Sequence, residues 1–255
     1  MQNRAPFSAP THVLPLLPAF VSTFLLVLFS LPLPAQEAAG DQPEETELQQ
    51  TLDELDLSRQ IEEAFLKVPR RYFLPEALHP FADEDQSIPL SSGTVVPGFS
   101  MAARLVEELS IDSASRVLVY GRGCGFFAAV TSTIAGEVEV VELTENGAET
   151  YPPVWEELGL TNISLNGELP LPGDLSLGET GSPGLTFDAV LLHGGTERVP
   201  VGILSLVDTE GRLIAPLTDE AGNQVLFVFQ RREGEITVYT GEELYFPPGR
   251  PLFPR

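Results

Sequence analysis

Three glycines at alternate positions, Gly121, Gly123 and Gly125, follow an apolar run at residues 117–120. A small-residue helix pattern comes next, and then a second apolar run, 138–141, that ends on the acid Glu142. The order is strand, glycine turn, helix, strand, terminal acid. A glycine lets backbone approach a ligand closely because no Cβ stands in the way. The start of the helix offers unpaired N–H groups to an anion. An acid closing the second strand can accept the hydroxyls of a ribose. These residue types in this order predict a site for a nucleotide-like ligand. The rival reading is a tight strand-to-helix turn in an α/β domain that binds nothing.

The spacing decides between cofactors. The dinucleotide fingerprint G-x-G-x-x-G would place its third glycine at position 126, where the chain has Phe126. The pattern G-x-G-x-G resembles the first motif of S-adenosylmethionine-dependent methyltransferases instead.

The elements that must position these residues can be read outward from the turn. Apolar positions Leu52, Leu55, Ile61, Phe65 and Val68 predict an amphipathic helix that Pro69 ends. A loop with aromatic anchors follows, then a turn-rich stretch at 91–97 and a helix over about 99–109. Beyond Glu142, residues 151–158 read as a helix starting at Pro152 and Pro153. Residues 162–165 form a short strand, 167–184 a Gly/Pro-rich loop and 187–192 a buried strand. A helix is expected over 199–207 and a strand over 211–216. Residues 224–230 and 235–240 flank a polar turn as an antiparallel hairpin. Strand–helix alternation predicts an α/β sheet, parallel except at its end, with helices on both faces. Ligands in such sheets bind beyond the carboxyl ends of the strands, near the switch in strand order. Gly121, Glu142 and His193 all fall at such ends.

Composition narrows the partners. The 255-residue chain carries a net charge of −23, against the basic footprint that a nucleic-acid partner requires. Cys124 is the single cysteine, so no intramolecular disulfide forms and a cysteine-based zinc site has no support. Arg4 precedes a long apolar run, 13–33, which Pro34 and Ala35 close. Residues 1–35 read as a secretory signal peptide cut after Ala35. The alternative is an uncleaved membrane anchor, which would be the one contact with a membrane. Residues 36–50 read as an acidic linker, and 51–255 as the domain that carries the S-adenosylmethionine-dependent methyltransferase-like motif. The expected location is the periplasm or the extracellular space, or the membrane if the leader stays.

Taken together, residues 61–253 resemble the protein-L-isoaspartate O-methyltransferase family. FLKVPRRYFLPEAL is similar to its N-terminal V-P-R-x-x-F-x-P signature, and DQSIPL to the lead into its substrate loop. VLVYGRGCGFFAAV resembles its cofactor loop, VEVVE its second strand, and LGLTNISLNGE the segment carrying an adenine-side acid. FDAVLLHGG, then VP, then GRLIAPL resemble its fourth strand, the following helix and its fifth strand. The resemblance implies a Rossmann-like methyltransferase fold with a mostly parallel seven-stranded sheet and a C-terminal antiparallel hairpin. It implies S-adenosyl-L-methionine as cofactor and isoaspartyl-containing peptides or proteins as partners. The implied reaction methylates the isoaspartyl carboxylate, and the ester then collapses to a succinimide that reopens partly as aspartate.

Carried over residue by residue, Gly121, Gly123 and Gly125 match the family glycines, and Glu142 matches the acid on the ribose hydroxyls. Glu168 matches an acid near the adenine amine that usually reads Asp. Val119 stands where the family carries Glu. Arg122 replaces a small residue in the loop, either to pair with the cofactor's carboxylate or to face solvent. The family loop G-Q-T-x-S-x-P reads SSGTVVPGFS here. Aligned without a gap, Gly93 is the glycine, and Val95 and Pro97 replace the threonine and the serine. With a one-residue deletion Thr94 is the threonine and Val96 replaces the serine. Thr94 is the surviving candidate for a catalytic hydroxyl, with Ser91 and Ser92 nearby. His193 is either a substrate-facing proton handler or a strand-end histidine with a backbone partner. Cys124 reads as packing, as do Tyr151 and Trp155, which could otherwise touch the adenine. The missing serine, Val119 and the leader leave a second reading open, a catalytically silent exported binding module. A third is a methyltransferase of this fold with a different carboxylate or hydroxyl acceptor.

Overall fold

The computed structural model describes residues 47–90, 93–166, 185–218 and 224–244. Its elements are α1 (Glu47–Glu54), α2 (Arg59–Lys67), two short 3-10 turns (Arg70–Phe73 and Glu76–Phe81), β1 (Ile88–Pro89), β2 (Val95–Val96) and α3 (Phe99–Leu109). There follow β3 (Arg116–Gly121), α4 (Gly125–Ser132), β4 (Glu137–Glu142), α5 (Gly147–Glu157), β5 (Ile163–Leu165) and β6 (Phe187–His193). The chain continues with α6 (Val201–Leu204), β7 (Val207–Thr218), β8 (Gln224–Arg232) and β9 (Glu235–Leu244).

Seven strands form one sheet in the order β5-β4-β3-β6-β7-β8-β9. From β3 the chain steps to β4 on one side and to β6 on the other, so the strand order reverses at β3. Strands β5 to β7 are parallel. β8 is antiparallel to both β7 and β9 and therefore runs alone against the rest. Central parallel strands are covered on both faces and read as unbroken apolar runs, which is why 117–120 carries no polar alternation. Val117 and Val119 pack with Phe99, Phe126 and Trp155 on one face, and Leu118 and Tyr120 with Ile203 and Leu206 on the other.

Several boundaries differ from expectation. The amphipathic stretch 52–68 is two helices, because Ser58 leaves the helical path and donates its N–H (3.2 Å) and hydroxyl (3.0 Å) to Glu107 Oε2 of α3. The linker expected to reach residue 50 gives way to α1 at Glu47. Helix α5 begins at Gly147, four residues before the expected start, so Pro152 and Pro153 lie inside it. The Asn146 carbonyl accepts from Glu149 N, Thr150 N and Thr150 Oγ1, which nucleates the helix ahead of the prolines. Helix α6 is a single turn, and β7 starts at Val207 rather than 211 because a register shift opposite Phe187 and Ala189 absorbs residues 208–211.

Candidate functional site

Parallel register sets the site. Gly121, the last residue of β3, pairs with Glu142 of β4 on one side and with His193 of β6 on the other. All three lie level at the carboxyl edge, at the point where strand order reverses. Gly121 has φ +155°, and a Cβ there would overlap the His193 carbonyl. Arg122 N donates to His193 O at 3.3 Å, and His193 Nδ1–H donates to Arg122 O at 2.7 Å. The two strand ends are thus cross-braced. His193 is buried, with its ring 4.9 Å from that of Phe127. Burial drives its pKa down to about 4, partly opposed by the Arg122 carbonyl. It is a neutral strand-end histidine with a backbone partner rather than a proton handler.

Glu142 occupies the mouth of the glycine turn. Its Oε1 accepts from Gly123 N and Thr144 N, both at 2.9 Å, and its Oε2 accepts from Cys124 N at 2.7 Å. The N–H groups of Gly123 and of Cys124, the residue that precedes α4, are therefore held by the chain's own acid rather than left open to an anion. A phosphate would meet this carboxylate as a like charge. A hydroxyl would not. A carboxylate offers about four acceptor positions and three are filled, which leaves one on Oε2. The residues fit a ribose-bearing group and disfavour a pyrophosphate.

Two glycines make room for this arrangement. A Cβ on Gly147 would overlap the Glu142 side chain, and a Cβ on Gly125 would overlap the Tyr151 ring. Trp155 Nε1 donates to Gly125 O at 3.1 Å, so Tyr151 and Trp155 pack beneath the turn. Gly147 was missed from sequence. Its signal was present in the Thr144–Glu145–Asn146–Gly147 run just past the acid, which reads as an ordinary turn until the side chain above it is known.

The acceptor-side loop comes to the same place. Strands β1 and β2 pair antiparallel, Ile88 with Val96 and Pro89 with Val95. Leu90 N donates to Thr94 O at 2.8 Å, and Gly93, at φ +76°, donates to Leu90 O at 3.0 Å. Thr94 is 4 % exposed. A Cβ built on Gly123, itself at φ +74°, would lie 3.2 Å from Thr94 Cβ. The Thr94 side chain therefore stands beside the bare Gly123 backbone, whose N–H Glu142 holds.

Other candidates are placed differently. Arg122 is half-buried, and its Nη1 donates to Leu143 O at 3.0 Å. Cys124 is fully buried, and burial followed by the charge of Glu142 pushes its thiol pKa well up. Val119 is wholly buried in the core. Glu168, Ser91 and Ser92 lie outside the described residues.

The reversal of strand order at a glycine turn, with an acid one strand away, defines the class of Rossmann-like methyltransferases. Residues 44–249 match the family model of protein-L-isoaspartate(D-aspartate) O-methyltransferases, and the chain belongs to that family. A protein-L-isoaspartate O-methyltransferase of Roseiflexus sp. is 35 % identical over 179 residues, 69 % of this chain and 77 % of that protein. One from Ignicoccus hospitalis is 30 % identical over 182 residues, covering 70 % and 83 %. Among solved structures, a protein-L-isoaspartate O-methyltransferase superposes with TM-score 0.64 at 24 % identity, over 76 % of this chain and 62 % of that one. A Plasmodium falciparum relative, solved with S-adenosyl-L-homocysteine, superposes with TM-score 0.63 at 18 % identity, over 80 % and 96 %. These two likenesses confirm the fold.

Proposed function

We infer that the protein transfers a methyl group from S-adenosyl-L-methionine to the free carboxylate of an isoaspartyl residue in a damaged peptide or protein. The observation that carries this reading is the placement of the Thr94 side chain where a Cβ on Gly123 would meet it, with the Gly123 N–H held by Glu142. It brings an acceptor-side hydroxyl residue onto the cofactor-side turn. S-adenosylmethionine supplies a methyl group already activated by its sulfonium. The isoaspartyl carboxylate is ionised at neutral pH, so no group of the protein has to remove a proton. The remaining task is alignment and exclusion of water, which is worth several kcal/mol when the geometry is right.

In this reading Glu142 accepts a ribose hydroxyl at the open position on Oε2, and Gly121 and Gly123 keep the turn bare of side chains. The Thr94 hydroxyl orients the incoming carboxylate. A neutral hydroxyl suits this role better than a cation, because binding substrate more tightly than the transition state would slow transfer. Glu168 is assigned to the adenine side on the strength of the family resemblance. The silent-module reading rests on the lost serine, on Val119 and on the leader. Thr94 at the turn supplies a hydroxyl on the acceptor side, and Val119 serves as core.

The test uses the purified full chain. Calorimetry should register S-adenosylmethionine binding, and labelled methyl should pass to an isoaspartyl peptide but not to its aspartyl twin. Absence of heat at millimolar cofactor would remove every methyltransferase reading; binding without transfer would restore the silent module. Export stays attached as a proposal, supported by the leader-like residues 1–35. N-terminal sequencing of the mature protein should begin near Gln36.

A further inference from the structure

Arg70, from the VPRRYF signature, is 1 % exposed and takes no part in the chemistry above. A guanidinium carries five N–H donors in a fixed fork, and here each finds a backbone carbonyl. Nε donates to Ala82 O (2.9 Å), Nη1 to Gln86 O (3.0 Å) and Pro97 O (2.8 Å), and Nη2 to Phe81 O (3.0 Å) and Glu84 O (2.5 Å). Its face lies 4.3 Å from the centroid of the Phe99 ring at the start of α3. The two carbonyls on Nη1 belong to the two ends of one hairpin. Gln86 enters it two residues before β1, and Pro97 leaves it directly after β2. Thr94 lies inside that hairpin, against Gly123.

A ladder of two residues per strand does not hold itself in water, so the hairpin needs an outside clamp. Asp85 adds a second tie, accepting from Ser100 N at 3.0 Å and Ser100 Oγ at 2.5 Å. We propose that Arg70 is a positioning residue for methyl transfer, closing the stem of the 86–97 hairpin so that Thr94 is held against the glycine turn. The clamp carries a cost. Burial draws the Arg70 pKa down to about 10 even with Asp85, Asp83 and Glu84 nearby to raise it, as expected for a cation held by carbonyls rather than by a paired carboxylate. All five bonds lie on the acceptor side, none on β3, β4 or the turn. The proposal rests on the methyltransferase reading for its effect on rate, and on geometry alone for its effect on the hairpin.

The experiment compares the full-length protein with Arg70→Lys, since lysine keeps the charge but cannot fork onto five carbonyls. At saturating S-adenosylmethionine, kcat for an isoaspartyl peptide should fall about tenfold or more, as misplacement by an ångström predicts. The cofactor Kd should stay within about twofold, because the turn's own bonds are intact. Amide hydrogen exchange should quicken across 86–97 and not across 116–142, a readout that holds even if the wild type transfers no methyl. Pro97→Gly, which keeps the accepting carbonyl but loosens its torsions, is the arm for the case in which Arg70→Lys does not fold, and it should show the same split. Unchanged kcat with unchanged exchange in 86–97 overturns the clamp. A parallel loss of cofactor affinity, or exchange rising alike in both segments, marks Arg70 as general scaffolding and also overturns it.

Discussion

Two turns meet at Gly123, and they are held in opposite ways. The glycine turn is held from within, by Glu142 on its N–H groups and by the cross-brace between Arg122 and His193. The acceptor hairpin is held at its stem, by Arg70 on the carbonyls of Gln86 and Pro97. The holder of the first turn is itself the group that meets the ligand. The holder of the second is remote. Ligand binding and backbone order are therefore coupled on the cofactor side, while on the acceptor side order is supplied in advance and the reacting carboxylate meets a neutral hydroxyl. Substitutions at the two holders should separate accordingly.

The severest break of the cofactor side is Gly121→Ala. Its Cβ would overlap a backbone carbonyl that cannot swing aside, and φ +155° is itself strained for alanine. The loss should be about 3 kcal/mol or more, with no cofactor binding in whatever folds. Urea unfolding and calorimetry check both. A variant within 1 kcal/mol of wild type, by the scale expected of ordinary surface changes, would mean that β3 and β6 do not approach as described.

The next break uses pH. The folded pKa of His193, about 4, lies below the ordinary 6.5, so the unfolded chain takes up a proton before the folded one does. The stability held by the neutral ring is complete above about 6.5 and is lost as pH falls through that window toward 4. The amount is of order 3 kcal/mol. His193→Asn retains a donor for the Arg122 carbonyl without titrating. Between pH 7 and pH 4 the wild type should lose more stability than the variant in urea titrations. Equal losses would show that the ring is solvated.

These cases also mark what was legible. The glycine turn, the acid after the second strand and the closing antiparallel hairpin were read correctly because each depends on local pattern: an apolar run, a glycine spacing, a hairpin turn. Register then made Gly121, Glu142 and His193 level, a consequence of parallel pairing that sequence only suggested. Three things were not legible. The acid's prior engagement with Gly123 and Cys124 depends on a side-chain path over Gly147. The prolines in α5 misled because Asn146 starts that helix upstream of them. Arg70 stood in the sequence only as part of the V-P-R-x-x-F-x-P signature, and only the fold reveals that five carbonyls from residues 81–97 converge on it.

Glu142→Gln sharpens the comparison rather than breaking it. The amide keeps the size but replaces one oxygen by a donor that faces the backbone N–H groups. The turn loses a charged acceptor, and the open position for a ribose hydroxyl loses charge. Cofactor affinity should fall by about 1.5–3 kcal/mol, the range for a hydrogen bond to a charged group, which is roughly tenfold to more than a hundredfold. Stability should fall with it, whereas Arg70→Lys should leave cofactor affinity within about twofold. Retained stability with lost affinity would mean that Glu142 serves the ligand and does not hold the turn.

The mildest change is Thr94→Val, which preserves shape against Gly123 and removes only the hydroxyl. A neutral hydrogen bond is worth about 1 kcal/mol, so kcat/KM for the isoaspartyl peptide should fall by roughly five- to tenfold while cofactor Kd is unchanged. Thr94→Ser should recover most of the rate, because it restores the oxygen and loses only a methyl group. The pair separates two uses of the same residue. If valine is harmless and serine is not, the methyl packing against Gly123 is what matters, and the acceptor hairpin contributes shape rather than a hydrogen bond to the reaction.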